Sequence, residues 1–104
     1  MKLLSVAALT VLHAVARGTS HGFDIIDGTN LPGGTVYPAL SRLERDGLVA
    51  SSWEPAEDAR REGRPPRRNY AVTRVGLTTL SEALERLHAM EPVRRAVTAT
   101  SKPR

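Results

Sequence analysis

Apolar residues return along this chain at two spacings, and the switches between them divide it into elements. From about Leu3 to Ala16, the residues Leu4, Ala8, Val11 and Val15 recur at helical period, the stripe of a largely buried helix. Thr10, His13 and Arg17 follow the same period as a polar stripe, which predicts one wet edge. Gly18 is well placed to end the helix. Ser20 can cap a short second helix from His21 to Asp27, with Asp24 in its first turn and Phe23 and Ile26 facing inward. The segment "TNLPGG" then breaks the chain. A third helix starts near Thr35, with Val36, Leu40 and Leu43 as its single apolar stripe and Pro38 in or next to its first turn. Gly47 is the expected left-handed residue beyond its end, which lets Leu48 touch Leu43.

The period then changes to two. In "LVASSWE" (48–54), Val49, Ser51 and Trp53 share a face, and in "RRNYAVT" (67–73) Tyr70 and Val72 do the same. The intervening "PAEDARREGRPP" is too polar to pack and reads as the loop of a long hairpin, with Trp53 as a structural clamp beneath it. Thr73 can cap a fourth helix, in which Leu77, Leu80, Leu84 and Leu87 form a heptad-like seam. Pro92 is expected to end that helix. The fold class is therefore mainly α with a small antiparallel β-hairpin. Residues 1–74 form a winged helix-turn-helix domain, 75–91 a C-terminal dimerisation helix and 92–104 a basic flexible tail.

Composition narrows the chemistry. A chain of 104 residues is one domain, burying about 65% of its unfolded surface. Fifteen Lys and Arg against eleven Asp and Glu give a net +4, which favours an anionic partner, although coding bias alone can enrich arginine. There is no cysteine, so disulfides, thiol catalysis and cysteine-ligated zinc are excluded. His13, His21 and His88 lack metal-ligand spacing, and neither a metal nor another cofactor is expected. No glycine-rich phosphate loop, nucleophile with a nearby base, or paired carboxylates mark an enzyme. No apolar run approaches the ~20 residues of a membrane span. Lys2, the apolar stretch from Leu3 to Leu12 and Ala14-Val15-Ala16 also fit a secretory signal. The helical stripe, and the incomplete fold left without residues 1–16, favour a retained first helix over a cleaved signal and so a cytoplasmic protein.

Three helices followed by a hairpin with a charged tip place the third helix in a DNA major groove. Opposite its apolar stripe lie Thr35, Tyr37, Ser41, Arg42 and Arg45. Gly33 and Gly34 leave the backbone bare at its start, where free N–H groups favour a phosphate. Tyr37 offers a hydroxyl to phosphate or packs at the rim, while Ser41 and Arg42 reach toward base edges, arginine most naturally to guanine. Between residues 60 and 74, Arg60, Arg61, Arg64, Arg67, Arg68 and Arg74 face a single acid, Glu62. Each feature alone is common on ordinary solvated surfaces; their order in one short chain gives them force.

The segments "HGFDI" (21–25), "GGTVYPALSRLERDGLV" (33–49) and "RPPRRNYAVTRVG" (64–76), with the leucine-rich helix that follows, resemble the PadR family of bacterial transcriptional regulators over about residues 4 to 90. The resemblance implies a homodimeric winged-helix repressor of the short type, with a single C-terminal helix packed on the partner subunit. It implies DNA contact through Thr35, Tyr37, Pro38 and their neighbours and through the basic wing, so that with the exposed helix face the expected DNA contacts are Gly34, Thr35, Tyr37, Pro38, Ser41, Arg42, Arg45, Arg64, Arg67 and Arg68. It also implies a dimer interface of Leu77, Leu80, Leu84 and Leu87, helped by Leu4 and Val11 of the first helix. Two departures stand out: "NYAVT" lacks the aromatic or charged residue that more often precedes the tyrosine, and the chain ends soon after the fourth helix. The second leaves little room for an effector pocket within one subunit, so any small-molecule effector stays unidentified. Independently of family, a four-leucine seam with little chain left to cover it should bury itself on a second copy. A two-fold dimer predicts a palindromic operator with half-sites roughly 34–36 Å apart. The alternative is a winged-helix protein-interaction module that binds an acidic protein without sequence-specific DNA binding.

Overall fold

The structure is a computed structural model and describes residues 4–99. Helix α1 (Val6–Ala16) begins at Ser5, whose hydroxyl accepts the Ala8 N–H at 3.1 Å. It stops as expected at Gly18, which takes a positive φ of 99° while the Thr19 N–H reaches the Ala14 carbonyl. α1 is the axis of the molecule, touching α2 (Gly22–Thr29), α3 (Gly33–Arg45), β2 (Arg68–Val72), α5 (Arg74–Arg86) and α6 (Glu91–Ala99). Its expected wet edge is consequently absent. Thr10 and His13 are both buried, and only Arg17 of that stripe is exposed. The Thr10 hydroxyl is satisfied by the Val6 carbonyl at 2.7 Å. Burial, reinforced by the charge of Arg17, lowers the pKa of His13. Leu9, Val11, Leu12, Ala14 and Val15 all lie in the core, so removing residues 1–16 would take out its centre.

In α2 the inner face is Gly22, Ile25 and Thr29, at spacings of three and four. Phe23, expected inward, is 77% exposed, because Ile25 and not Phe23 shares that spacing; Ile26 is half-buried. Nor does Ser20 supply a side-chain cap. Its carbonyl instead accepts the Tyr70 N–H at 2.7 Å, tying β2 to the α1–α2 connection. α3 buries Val36, Leu40 and Leu43 as expected, but begins at Gly33, two residues early. Pro38 therefore lies in the second turn, where it gives no N–H to the Gly34 carbonyl and costs about 3 kcal/mol relative to alanine. The helix ends with Gly47 at φ 78° and the Leu48 N–H on the Leu43 carbonyl at 2.9 Å.

β1 (Val49–Trp53) pairs antiparallel with β2, Val49 opposite Val72, Ser51 opposite Tyr70 and Trp53 opposite Arg68. Their connection is not the bare loop expected. It contains α4 (Ala56–Arg61), whose acids Glu57 and Asp58 sit in the first turn and whose Arg60 and Arg61 sit in the last. That arrangement suits the helix dipole, and of its two alanines Ala59 is buried. Thr73 caps α5 through the Gly76 N–H and donates its hydroxyl to the Gly47 carbonyl at 2.7 Å.

The chain after α5 also differs from expectation. A 3-10 turn at Leu87–Ala89 leads into α6, which covers residues 92–99 of the expected flexible tail. Pro92 starts this helix instead of stopping one, since a missing N–H is tolerated in a first turn. Val97 of α6 is fully buried in the same core as α1. Residues 100–104 lie outside the described residues. The leucine seam is divided accordingly: Leu80 is buried, Leu84 and Leu87 lean half-buried on the core, and Leu77 is half exposed. Val11, expected at a dimer interface, is fully buried within its own chain, and Leu4 is half-buried against that core. Among the described residues no helix is long and apolar enough to cross a membrane.

Candidate nucleic-acid interface

With Val36, Leu40 and Leu43 turned inward, helical geometry turns Gly34, Pro38, Ser41 and Arg45 outward, and all four are exposed. Arg42, also exposed, sits on one flank with Thr35 and Ala39, facing the start of α1. Tyr37 and Glu44 occupy the other flank, toward α2 and the hairpin. Neither Arg42 nor Arg45 forms an ion pair among the described residues. Pro32 precedes the helix without a side-chain cap and its carbonyl takes the Thr35 and Val36 N–H groups, so the first-turn donors left without a side-chain cap are those of Gly33 and Gly34. The site thus presents two unneutralised guanidiniums, a hydroxyl and bare helix-start donors on one side.

Of the two roles expected of Tyr37, packing at the rim is the one the structure shows. Its ring lies over Gly22, where an added Cβ would come 2.5 Å from Cε1, and yet the residue remains 48% exposed. The contact fixes the angle between α2 and α3, while the exposed part stays at the edge of the α3 face.

The wing is held by two ion clusters. In the first, Glu54 just beyond β1 receives both terminal nitrogens of Arg64, one at 2.8 Å and the other closer, and the Arg67 N–H at 3.2 Å. The Arg67 guanidinium adds a 3.7 Å contact. Hydrogen bonding from Arg64 is the main reason the Glu54 carboxyl falls to about 2, with Arg67 assisting against a smaller desolvation effect. In the second, Ser51 donates to Glu44 at 2.5 Å and accepts from Arg68 Nε at 3.1 Å, while Arg68 lies 3.7 Å from Glu44. The Arg68 guanidinium also rests 5.2 Å from the Trp53 ring centre. Trp53 is 64% exposed, so it is no buried clamp; it is a shelf for Arg68 on the wing surface.

These clusters reduce the basic excess of the wing. Arg64 is only 27% exposed and is engaged by Glu54, and Arg61 pairs with Asp58 at 2.8 Å. Arg67 and Arg68 keep just under half of their side-chain surface exposed. Sequence reasoning missed Glu44, Ser51 and Glu54 as organisers of the wing. The strand register carried the signal: once Ser51 faces Tyr70, Arg68 is its diagonal neighbour on the same face.

Comparisons with known proteins agree on one architecture. A family model described as "Transcriptional regulator PadR-like family" matches residues 11–82. A PadR family transcription regulator from Clostridium difficile R20291 is similar with a TM-score of 0.73 at 19% identity, covering 86% of this chain and 94% of that one. A PadR family transcriptional regulator from Eggerthella lenta DSM 2243 gives 0.67 at 27% identity over 82% and 74% of the two chains. A PadR-like transcription factor from Bacteroides fragilis gives 0.68 at 23% identity over 82% of each. No curated protein gives a match.

Proposed function

The chain belongs to the PadR-like family of transcriptional regulators, and from that premise we propose that it is a homodimeric, sequence-specific DNA-binding repressor. The observation that supports this reading is the asymmetry of α3, one side entirely buried and the other carrying Ser41, Arg42 and Arg45 into solvent without ionic partners among the described residues. A helix of that kind fits a major groove, whose floor offers acceptors to arginine and whose walls are phosphate. Ser41 and Arg45, central on the exposed side, take the base edges, with Pro38 available to a thymine methyl. Tyr37 and the exposed parts of Arg67 and Arg68 take phosphates. Arg64 serves the wing from within by holding Glu54.

Electrophoretic shift of the DNA upstream of its own gene, with and without unlabelled mixed-sequence competitor, tests the reading. A complex that survives competitor is expected. Arg45→Ala should weaken that complex by about 1–3 kcal/mol and relax one base position per half-site. A protein that ignores the DNA, or whose complex vanishes with equimolar competitor, contradicts it and favours the protein-interaction module.

A further inference from the structure

A groove runs between the first turn of α1 and the adjoining flank of α3, on the side where α3 is exposed. Ala7, Ala8 and Ala39 form its floor, Arg42 stands along it, and Pro38, Ser41 and Arg45 border it on the exposed side of α3. Ser5, Thr35 and Ser41 add three hydroxyls to the lining; the Ser5 oxygen accepts the Ala8 N–H and still has its own proton to donate. Among the described residues lining it there is no carboxylate.

We infer that this groove holds the sugar–phosphate backbone of one DNA strand, so that α1 is part of the interface and Arg42 is a phosphate contact and not a base reader. The inference rests on the DNA-binding reading above and deepens it. Three features carry it. The floor is made of small side chains, so a backbone can approach both helices closely. The charge along it is wholly positive, complementary to phosphate. Pro38, Ser41 and Arg45 border the groove from the outward line of α3, whereas Arg42 lies on its α1 flank with Thr35 and Ala39, and a helix seated in a major groove turns its flanks to the strands and its crest to the bases. Tyr37 then meets the opposite strand from the α2 flank, and α3 is held between two backbones.

Ala7 supplies the test, because it lines the groove without belonging to the α3 face. An acid there suits the start of α1, which has none in its first turn, so Ala7→Glu should fold normally. Binding is measured for the full chain on a duplex of about 30 base pairs enriched from a random pool, and on a scrambled duplex of equal composition. Ala7→Glu should weaken both about tenfold at 0.1 M salt, and Ala7→Lys should tighten both. Arg42→Ala should weaken both by the same factor and flatten the log–log salt slope by about one per protomer. If both Ala7 variants bind within twofold of the parent while Arg45→Ala loses its preferred duplex, the groove lies outside the interface and the DNA-binding reading survives. If Arg42→Ala loses affinity only on the enriched duplex, Arg42 reads a base and the inference fails. A parent protein that binds neither duplex overturns the DNA-binding reading itself, and the groove assignment with it.

Discussion

Gly22 has no Cβ because the ring of Tyr37 occupies that space, and Gly76 has none because the Leu48 carbonyl does. A Cβ would lie 2.5 Å from a ring carbon in the first case and 2.0 Å from a backbone oxygen in the second. Gly22→Ala is therefore expected to destabilise by about 1–3 kcal/mol, and Gly76→Ala by at least as much, since a backbone carbonyl yields less readily than a side chain. Gly34 is the opposite case, with nothing within 4 Å of its would-be Cβ. Gly34→Ala should raise stability by about 0.5–1 kcal/mol through helix propensity. It should nevertheless weaken DNA binding, by placing a methyl where a phosphate approaches the helix start. Thermal denaturation and binding of the three variants check both halves; a Gly34→Ala protein that is stabilised and binds DNA unchanged would remove Gly34 from the interface. The two tight glycines stand in "HGF" and "RVG" with nothing local to mark them. Their constraint comes from partners 15 and 28 residues distant in sequence, Tyr37 for Gly22 and Leu48 for Gly76.

At the scale of elements, the wing depends on the charge of Glu54. A carboxyl held at about 2 in the folded chain, against an ordinary 4.5, contributes stability fully above pH 4.5 and loses it as pH falls through about 2. The wing should thus keep its shape at mildly acidic pH. Carbon-13 titration of the Glu54 carboxyl should give a midpoint near 2, moving up toward 4.5 in Arg64→Ala; equal midpoints in the two proteins would disprove the clasp. Much of this level was readable from residue order. The α3 stripe, its glycine stop and the alternation of both strands each rest on contacts a few residues apart. α4 and α6 were hidden because each fully buries one residue, Ala59 or Val97; α4 is too short to repeat, and the Val93–Val97 spacing in α6 is a single helical step beside Pro92. Phe23 misled in the other direction, since its size suggested burial while the spacing of Gly22, Ile25 and Thr29 decided the inner face.

For the whole molecule, the division of the leucine seam separates folding from association. Leu77 is half exposed, whereas Leu80 three residues further along the same helix is buried. Leu77→Glu should leave the fold intact and turn a dimer into a monomer by sedimentation equilibrium, with DNA affinity falling toward the non-specific level. Leu80→Glu should instead unfold the chain, because it buries an unpaired carboxylate. A Leu77→Glu protein that remains dimeric would locate the two-fold contact elsewhere. With both copies engaged and on the order of 8 phosphates neutralised, the log–log salt slope should lie near −7.

The central claim is that two α3 helices of a symmetric pair read DNA side by side, and selection from a random duplex pool followed by sequencing tests it most directly. The account predicts an enriched inverted repeat whose half-site centres lie about 10–10.5 base pairs apart. A pool that shows no enriched sequence after selection, or enriches only a single unrepeated half-site, would contradict it.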